Sequence, residues 1–112
     1  MSPITTHVLD TARGCPAQGV PIALHQQADE GWLPLADGVT NADGRIADLL
    51  TAGQLRPGVY RMTFDTGAYF KKNGVDGFYP TAAIVFSIDK VDQHYHIPLL
   101  LSPFGYSTYR GS

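Results

Sequence analysis

His94-Tyr95-His96-Ile97-Pro98-Leu99-Leu100-Leu101-Ser102-Pro103-Phe104-Gly105-Tyr106-Ser107-Thr108-Tyr109-Arg110-Gly111-Ser112 is the stretch that decides the fold. Side chains of a β-strand alternate between two faces. Alternation from His94 to Ser102 therefore gathers Tyr95, Ile97, Leu99 and Leu101 on one face, apolar enough to be a core. His94, His96, Pro98, Leu100 and Ser102 share the other, which mixes apolar side chains with two imidazoles. A surface that is part apolar and part titratable is what an interface lined with a site looks like. Ser102-Pro103-Phe104-Gly105 breaks the run, and Gly105, Ser107 and Tyr109 then alternate with Tyr106, Thr108 and Arg110. Chain ends commonly run into small polar residues that little holds down. This one stays aromatic up to Tyr109.

The opening segment repeats the pattern. Over residues 4–10, Ile4, Thr6 and Val8 oppose Thr5, His7 and Leu9. Between these two ends, twelve glycines and eight prolines punctuate short runs rich in Val, Ile, Thr, Tyr and Phe, an all-β rhythm. A turn over 12–16 leads to a strand over 19–26. The turn Ala28-Asp29-Glu30-Gly31 leads to a strand over 32–39, and Asn41-Ala42-Asp43-Gly44 forms a second turn. Residues 45–49 read as a short strand, and Pro57-Gly58 opens another over 59–64. Asp65 or Thr66 caps a short helix over 68–72, with Gly74 past its end. Residues 81–88 alternate again, with Ala82, Ile84, Phe86 and Ile88 on one face. About eight strands and one helix, with no internal repeat, predict a β-sandwich.

Composition narrows the function. The 112 residues suit one domain spanning 1–112, and 44% hydrophobic residues is too rich for disorder. A formal charge of −2 gives no footprint for nucleic acid. No apolar run is long enough to span a membrane. Met1 to His7 has neither the basic nor the apolar part of a signal peptide. Cys15, the single cysteine, has no internal partner, which suits a reducing compartment. A cytoplasmic protein is expected.

The titratable candidates are few. His25, beside Gln26 and Gln27, reads as solvated, and His94 as a rim or inter-strand partner. His96 and His7 sit on the mixed faces and read as functional. Arg45, just after a turn, reads as a solvated charge on pattern alone. Trp32 and the remaining aromatics read as core or packing. His94-x-His96 has a spacing found in zinc sites, with His7 as the obvious third donor, but nothing else in the chain has ligand spacing. No metal and no cofactor are expected. A phosphate-cradling glycine loop and a Gly-x-Ser-x-Gly elbow are both absent.

Thr6-His7-Val8-Leu9-Asp10 followed by Arg13-Gly14-Cys15-Pro16-Ala17, the turn Asp43-Gly44-Arg45 and the closing block from His94 resemble the transthyretin family over nearly the whole chain. Tyr109-Arg110-Gly111-Ser112 looks like the signature of that family's enzymatic branch, which opens 5-hydroxyisourate. The resemblance implies a transthyretin-like sandwich of two four-stranded sheets with one short helix. It also implies a homotetramer, a dimer of dimers, whose central channel is lined by His7, Leu9, His96, Pro98 and Leu100. The implied reaction is hydrolysis of 5-hydroxyisourate to 2-oxo-4-hydroxy-4-carboxy-5-ureidoimidazoline in urate breakdown. His7, Arg45, His96 and Ser112 would then be catalytic, and His7, Arg45 and Tyr109 would bind substrate. In this reading His7 and His96 form an acid/base pair, Arg45 binds the anionic or carbonyl edge, and Ser112 orients a histidine or the water. A carrier using the same channel for a small aromatic ligand is the competing class, and a structural module is the third. Paired imidazoles in an apolar channel bring little to a carrier.

Overall fold

Alternation between two faces produces a two-layer sandwich in the computed structural model, which describes residues 2–111. The chain runs β1 (Ile4–Asp10), β2 (Cys15–Pro16), β3 (Pro21–Ala28), β4 (Gly31–Val39), β5 (Gly58–Phe64), α1 (Thr66–Lys72), β6 (Ala82–Ile88), β7 (Tyr95–Ser102) and β8 (Gly105–Thr108). One sheet has the order β2-β1-β7-β8 and the other β4-β3-β5-β6. The two ends of the chain meet in the first sheet. β1 pairs with β7 in parallel, from Ile4↔Tyr95 to Asp10↔Leu101, while β7 and β8 form an antiparallel hairpin.

The core lies between the sheets. Ile4 and Val8 of β1, Leu24 of β3, Met62 and Phe64 of β5 and Leu99 of β7 are fully buried. Burying a side chain of this size contributes about 1.5–3 kcal/mol. A one-residue slip of β7 would carry its core set outward and bring the His96 imidazole in. That cost fixes which face the histidines take. Tyr95, Ile97, Leu99 and Leu101 are all buried, as alternation requires.

Helix α1 closes one end of the sandwich. The Asp65 carboxylate accepts the Ala68 N–H at 3.0 Å and so caps its first turn. Gly74 (φ 68°) lies just beyond the Asn73 cap. Tyr69 and Phe70 anchor the helix, and the Tyr69 hydroxyl donates to the buried Asp10 carboxylate at 2.7 Å.

Four expectations need correction. Residues 45–49 form no strand: Arg45 makes only an isolated antiparallel bridge to His7. The eighth strand is instead Cys15–Pro16, read above as part of a turn, which pairs with Leu9 and Asp10. The aromatics are not all packing residues, because Phe78 and Phe104 are 68% and 73% exposed. His25 is half-buried on β3 rather than solvated, and its Nδ1 has no partner among the described residues.

Candidate active site

The β1–β7 pairing places two histidines from opposite ends of the chain on one surface. Directly paired residues point the same way, so Thr5 stands beside His96 and His7 beside Pro98. These four positions, with Leu9 and Leu100, form the outer face of the first sheet. Each is only partly covered, apart from the buried Pro98.

Arg45 reaches this face through a tight turn. The Asn41 side chain accepts the backbone N–H groups of Asp43 and Arg45 at 2.9 and 3.1 Å. Gly44 adopts φ 74°, and its carbonyl accepts the Val8 N–H at 2.8 Å. A β-carbon at Gly44 would run into the Val8 carbonyl oxygen. Only glycine satisfies both the positive φ and the close approach. The turn is thereby docked on β1 and Arg45 is set beside His7.

The charges of these three groups act on one another. Burial, and then the Arg45 guanidinium, hold His7 below the ordinary imidazole value of 6.5, against an opposing pull from Asp43. His96 is also held below 6.5, first by burial, then by the positive fields of Arg45, His94 and His7. One cation thus disfavours protonation of both imidazoles.

His96 is further held from the side. Thr5 Oγ1 lies 2.8 Å from its Nδ1 and 3.0 Å from His94 Nε2. The two rings are nearly parallel, with centroids 6.4 Å apart. His94 is therefore the inter-strand partner that the sequence suggested, while Thr5 was missed. Its signal was its place on the same face as His7, but the partner strand was not legible.

The closing residues return along β7. The register Leu99↔Thr108 continues to an isolated bridge His96↔Gly111. Pro98 has no N–H to offer opposite Tyr109, so the ladder is interrupted between these two pairings. The Gly111 N–H then donates to the His96 carbonyl at 2.8 Å. Arg110 points to the opposite side, with its guanidinium 4.5 Å above the Tyr95 ring and a bond to the Gln93 amide oxygen at 3.0 Å. It works as a clasp that pins the end of the chain. Tyr109 is 59% exposed. It lines, with His96, Ile84 and Phe86, an apolar cleft of about 220 Å³ between the open edges of the two sheets. Neither His7 nor Arg45 reaches that cleft. Ser112 lies outside the described residues.

His7, Arg45 and His96 are thus brought together, with Gly111 against His96 and Tyr109 one row away. Among the described residues, no group of three or more His, Cys, Asp or Glu side chains could hold a metal ion. None of the helices described is long and apolar enough to cross a membrane. The arrangement suits proton transfer to and from a small polar ring beside a fixed cation.

Comparison with known proteins shows the family. Residues 4–111 match the sequence profile of the HIUase/Transthyretin family. The chain is 50% identical to a 5-hydroxyisourate hydrolase of Mus musculus, covering 99% of this chain and 96% of that protein. The structure of Klebsiella pneumoniae 5-hydroxyisourate hydrolase superimposes with a TM-score of 0.85 at 42% identity, covering 97% of this chain and 98% of that one. Sea bream transthyretin in complex with thyroxine superimposes with a TM-score of 0.92 at 41% identity, covering 97% and 94%. A hydrolase and a thyroxine-binding protein are therefore both similar in fold, and the choice between them falls to the site.

Proposed function

The chain belongs to the HIUase/Transthyretin family, and from that premise we propose that it is a hydrolase of the enzymatic branch, opening 5-hydroxyisourate to 2-oxo-4-hydroxy-4-carboxy-5-ureidoimidazoline. One observation carries the choice over a carrier. Arg45 bridges to His7, and burial followed by its guanidinium holds both imidazoles below their ordinary value. A carrier gains nothing from two neutral bases beside a cation, whereas hydrolysis at a ring carbonyl needs them. Similarity to hydrolases across nearly the whole chain adds support.

The reaction needs a water made nucleophilic, a place for negative charge on the carbonyl oxygen, and a proton for the departing ring nitrogen. His7 and His96 form the acid/base pair, a role typically worth about 10²–10⁴-fold each. Arg45 binds the carbonyl or anionic edge of the substrate with its forked donors. Tyr109 contacts the ring, and Ser112 orients a histidine or the water. No metal or cofactor has a part in this scheme.

We place the site between subunits of a homotetramer, a dimer of dimers, in the cytoplasm. The reading is supported by the openness of the histidine face on one subunit and by the hydrophobic side chains beside it, Leu9 and Leu100. Residues 1–112 act as one domain in this scheme.

The decisive experiment generates 5-hydroxyisourate freshly from urate with urate oxidase and follows its decay with and without this protein. Acceleration over the spontaneous rate is expected. Decay unchanged by the protein would sink the hydrolase and favour the carrier.

A further inference from the structure

We propose that His94, acting through Thr5, is a positioning residue that decides which nitrogen of His96 carries the proton. Thr5 Oγ1 stands 2.8 Å from His96 Nδ1 and 3.0 Å from His94 Nε2. A threonine hydroxyl has one hydrogen to give, and lone pairs to receive others. With one hydrogen it cannot donate to both rings, so at least one ring gives it an N–H. When His94 Nε2 takes the hydroxyl hydrogen, His96 presents Nδ1–H and its Nε2 lone pair is free. When the direction reverses, His96 carries its proton on Nε2 and has no lone pair for a water. His94 thereby selects between the base and the non-base form of a neutral His96.

The inference deepens the hydrolase reading and rests on it. Opening a cyclic amide with water forms one C–O bond and breaks one C–N bond. Of the two water protons, one goes to the released nitrogen. The other is lost when the new carboxylic acid ionises, so each turnover must export a proton. The Thr5 bridge carries the proton of the base out and back. His96 Nε2 takes a proton from the attacking water, Nδ1–H passes to Thr5 Oγ1, and the Thr5 hydrogen moves to His94 Nε2, while the exposed His94 releases a proton from Nδ1 to solvent. The return transfer, from solvent through His94 and Thr5 to His96 Nδ1, delivers Nε2–H to the released nitrogen and restores the starting tautomer, and the new carboxylic acid loses its own proton to solvent. Arg45 and His7 face His96 and oppose a lasting charge there. No oxidant or co-reactant is needed.

The test uses the full chain in four forms: the unaltered protein, Thr5→Val, Thr5→Ser and His94→Phe. Two quantities are read: kcat and KM on fresh 5-hydroxyisourate, and the ¹⁵N shifts of labelled histidine rings. The hydroxyl-free Thr5→Val is expected to lose about 10- to 100-fold in kcat with KM little changed, and Thr5→Ser to recover most of that loss. The unaltered protein should show His96 protonated on Nδ1, and both Thr5→Val and His94→Phe should show mixed tautomers. A Thr5→Val variant with near-normal kcat overturns the proposal. So does a Thr5→Ser variant as poor as Thr5→Val, which marks a packing role, or a His94→Phe variant whose His96 keeps its proton on Nδ1. If the unaltered protein does not hasten ring opening, the hydrolase reading fails, and the ¹⁵N shifts still decide whether His94 sets the tautomer.

Discussion

Gly111 lies flat against the His96 imidazole: a β-carbon added to it would meet ring Cδ2 at 2.6 Å and Cγ at 3.2 Å. Its own N–H meanwhile holds the His96 carbonyl at 2.8 Å. The ring cannot yield freely, because Thr5 fixes Nδ1 from the other side. Glycine here is a requirement of space. Gly111→Ala should therefore push the chain end or the ring out of place and lower kcat/KM roughly tenfold or more, since small misplacements of this kind are costly. The thermal midpoint should move little, because the contact is at the edge of the sheet. A variant as active as the parent would show that the end of the chain is not part of the site.

His7 and His96 are half-buried on the outer face and make no core contact of the kind that holds the sheets together. His7→Ala and His96→Ala should each reduce turnover by about 10²–10⁴-fold. Urea midpoints should stay close to that of the parent, as expected for substitutions outside the core. Near-normal turnover in either variant would refute the acid/base assignment.

Both imidazoles are held below 6.5, first by burial and then by Arg45. The unfolded chain therefore binds protons before the folded one does as pH falls. Their contribution to stability is fully present above pH 6.5 and is lost as pH drops through the lower folded values. Activity should follow the same groups, staying flat through neutrality and falling only below pH 6.5. Arg45→Gln removes the second cause and leaves burial. The acid limb of kcat should then move upward, part of the way to 6.5. An acid limb unmoved by this change would mean that Arg45 does not act on the imidazoles.

How much of this was legible in the sequence depends on distance along the chain. The faces of β1 and β7 follow from period two, so Ile4, Thr6 and Val8, and Tyr95, Ile97, Leu99 and Leu101, were assigned correctly. The parallel pairing that sets Thr5 between His94 and His96 joins residues 89 and 91 positions apart, and no local pattern reports it. Arg45-Ile46-Ala47 alternates like a strand, yet the Asn41 side chain and the positive φ of Gly44 hold it as a turn. Cys15–Pro16 is too short to show any period, and its turn-forming neighbours hid it. His7 and His96 were reachable from the faces they share, and Arg45 because the resemblance named it. Gly111 was not, because its role lies in the atom it lacks.

The Tyr69 hydroxyl is buried against the Asp10 carboxylate, and burial together with that bond pushes it up to about 12 from 10.0. The folded protein keeps this proton longer than the unfolded chain. The contribution is therefore complete below pH 10 and lost as pH rises toward 12. Tyr69→Phe leaves Asp10 with the Arg13 N–H alone among these donors. It should cost about 1–3 kcal/mol at neutral pH. Urea titrations should also show the variant losing less stability than the parent above pH 10. Equal losses in both proteins would place the alkaline sensitivity elsewhere.

Assembly should govern activity. β6 and β8 end their respective sheets, and both border the apolar cleft that holds Ile84, Phe86 and Tyr109. Open strand edges are templates for pairing with another chain, and Val85 on β6 is 57% exposed beside them. The histidine face is likewise open on a single subunit, with Leu9 and Leu100 beside the imidazoles. A second copy on each surface would cover apolar area and enclose the reacting ring away from bulk water, where the fields of Arg45 and the imidazoles are less screened. Initial rates per subunit, measured over a dilution series alongside sedimentation velocity, should fall as the proposed tetramer dissociates. The loss should reverse on reconcentration. A monomer that retains the full rate per subunit would show that one chain carries the whole site.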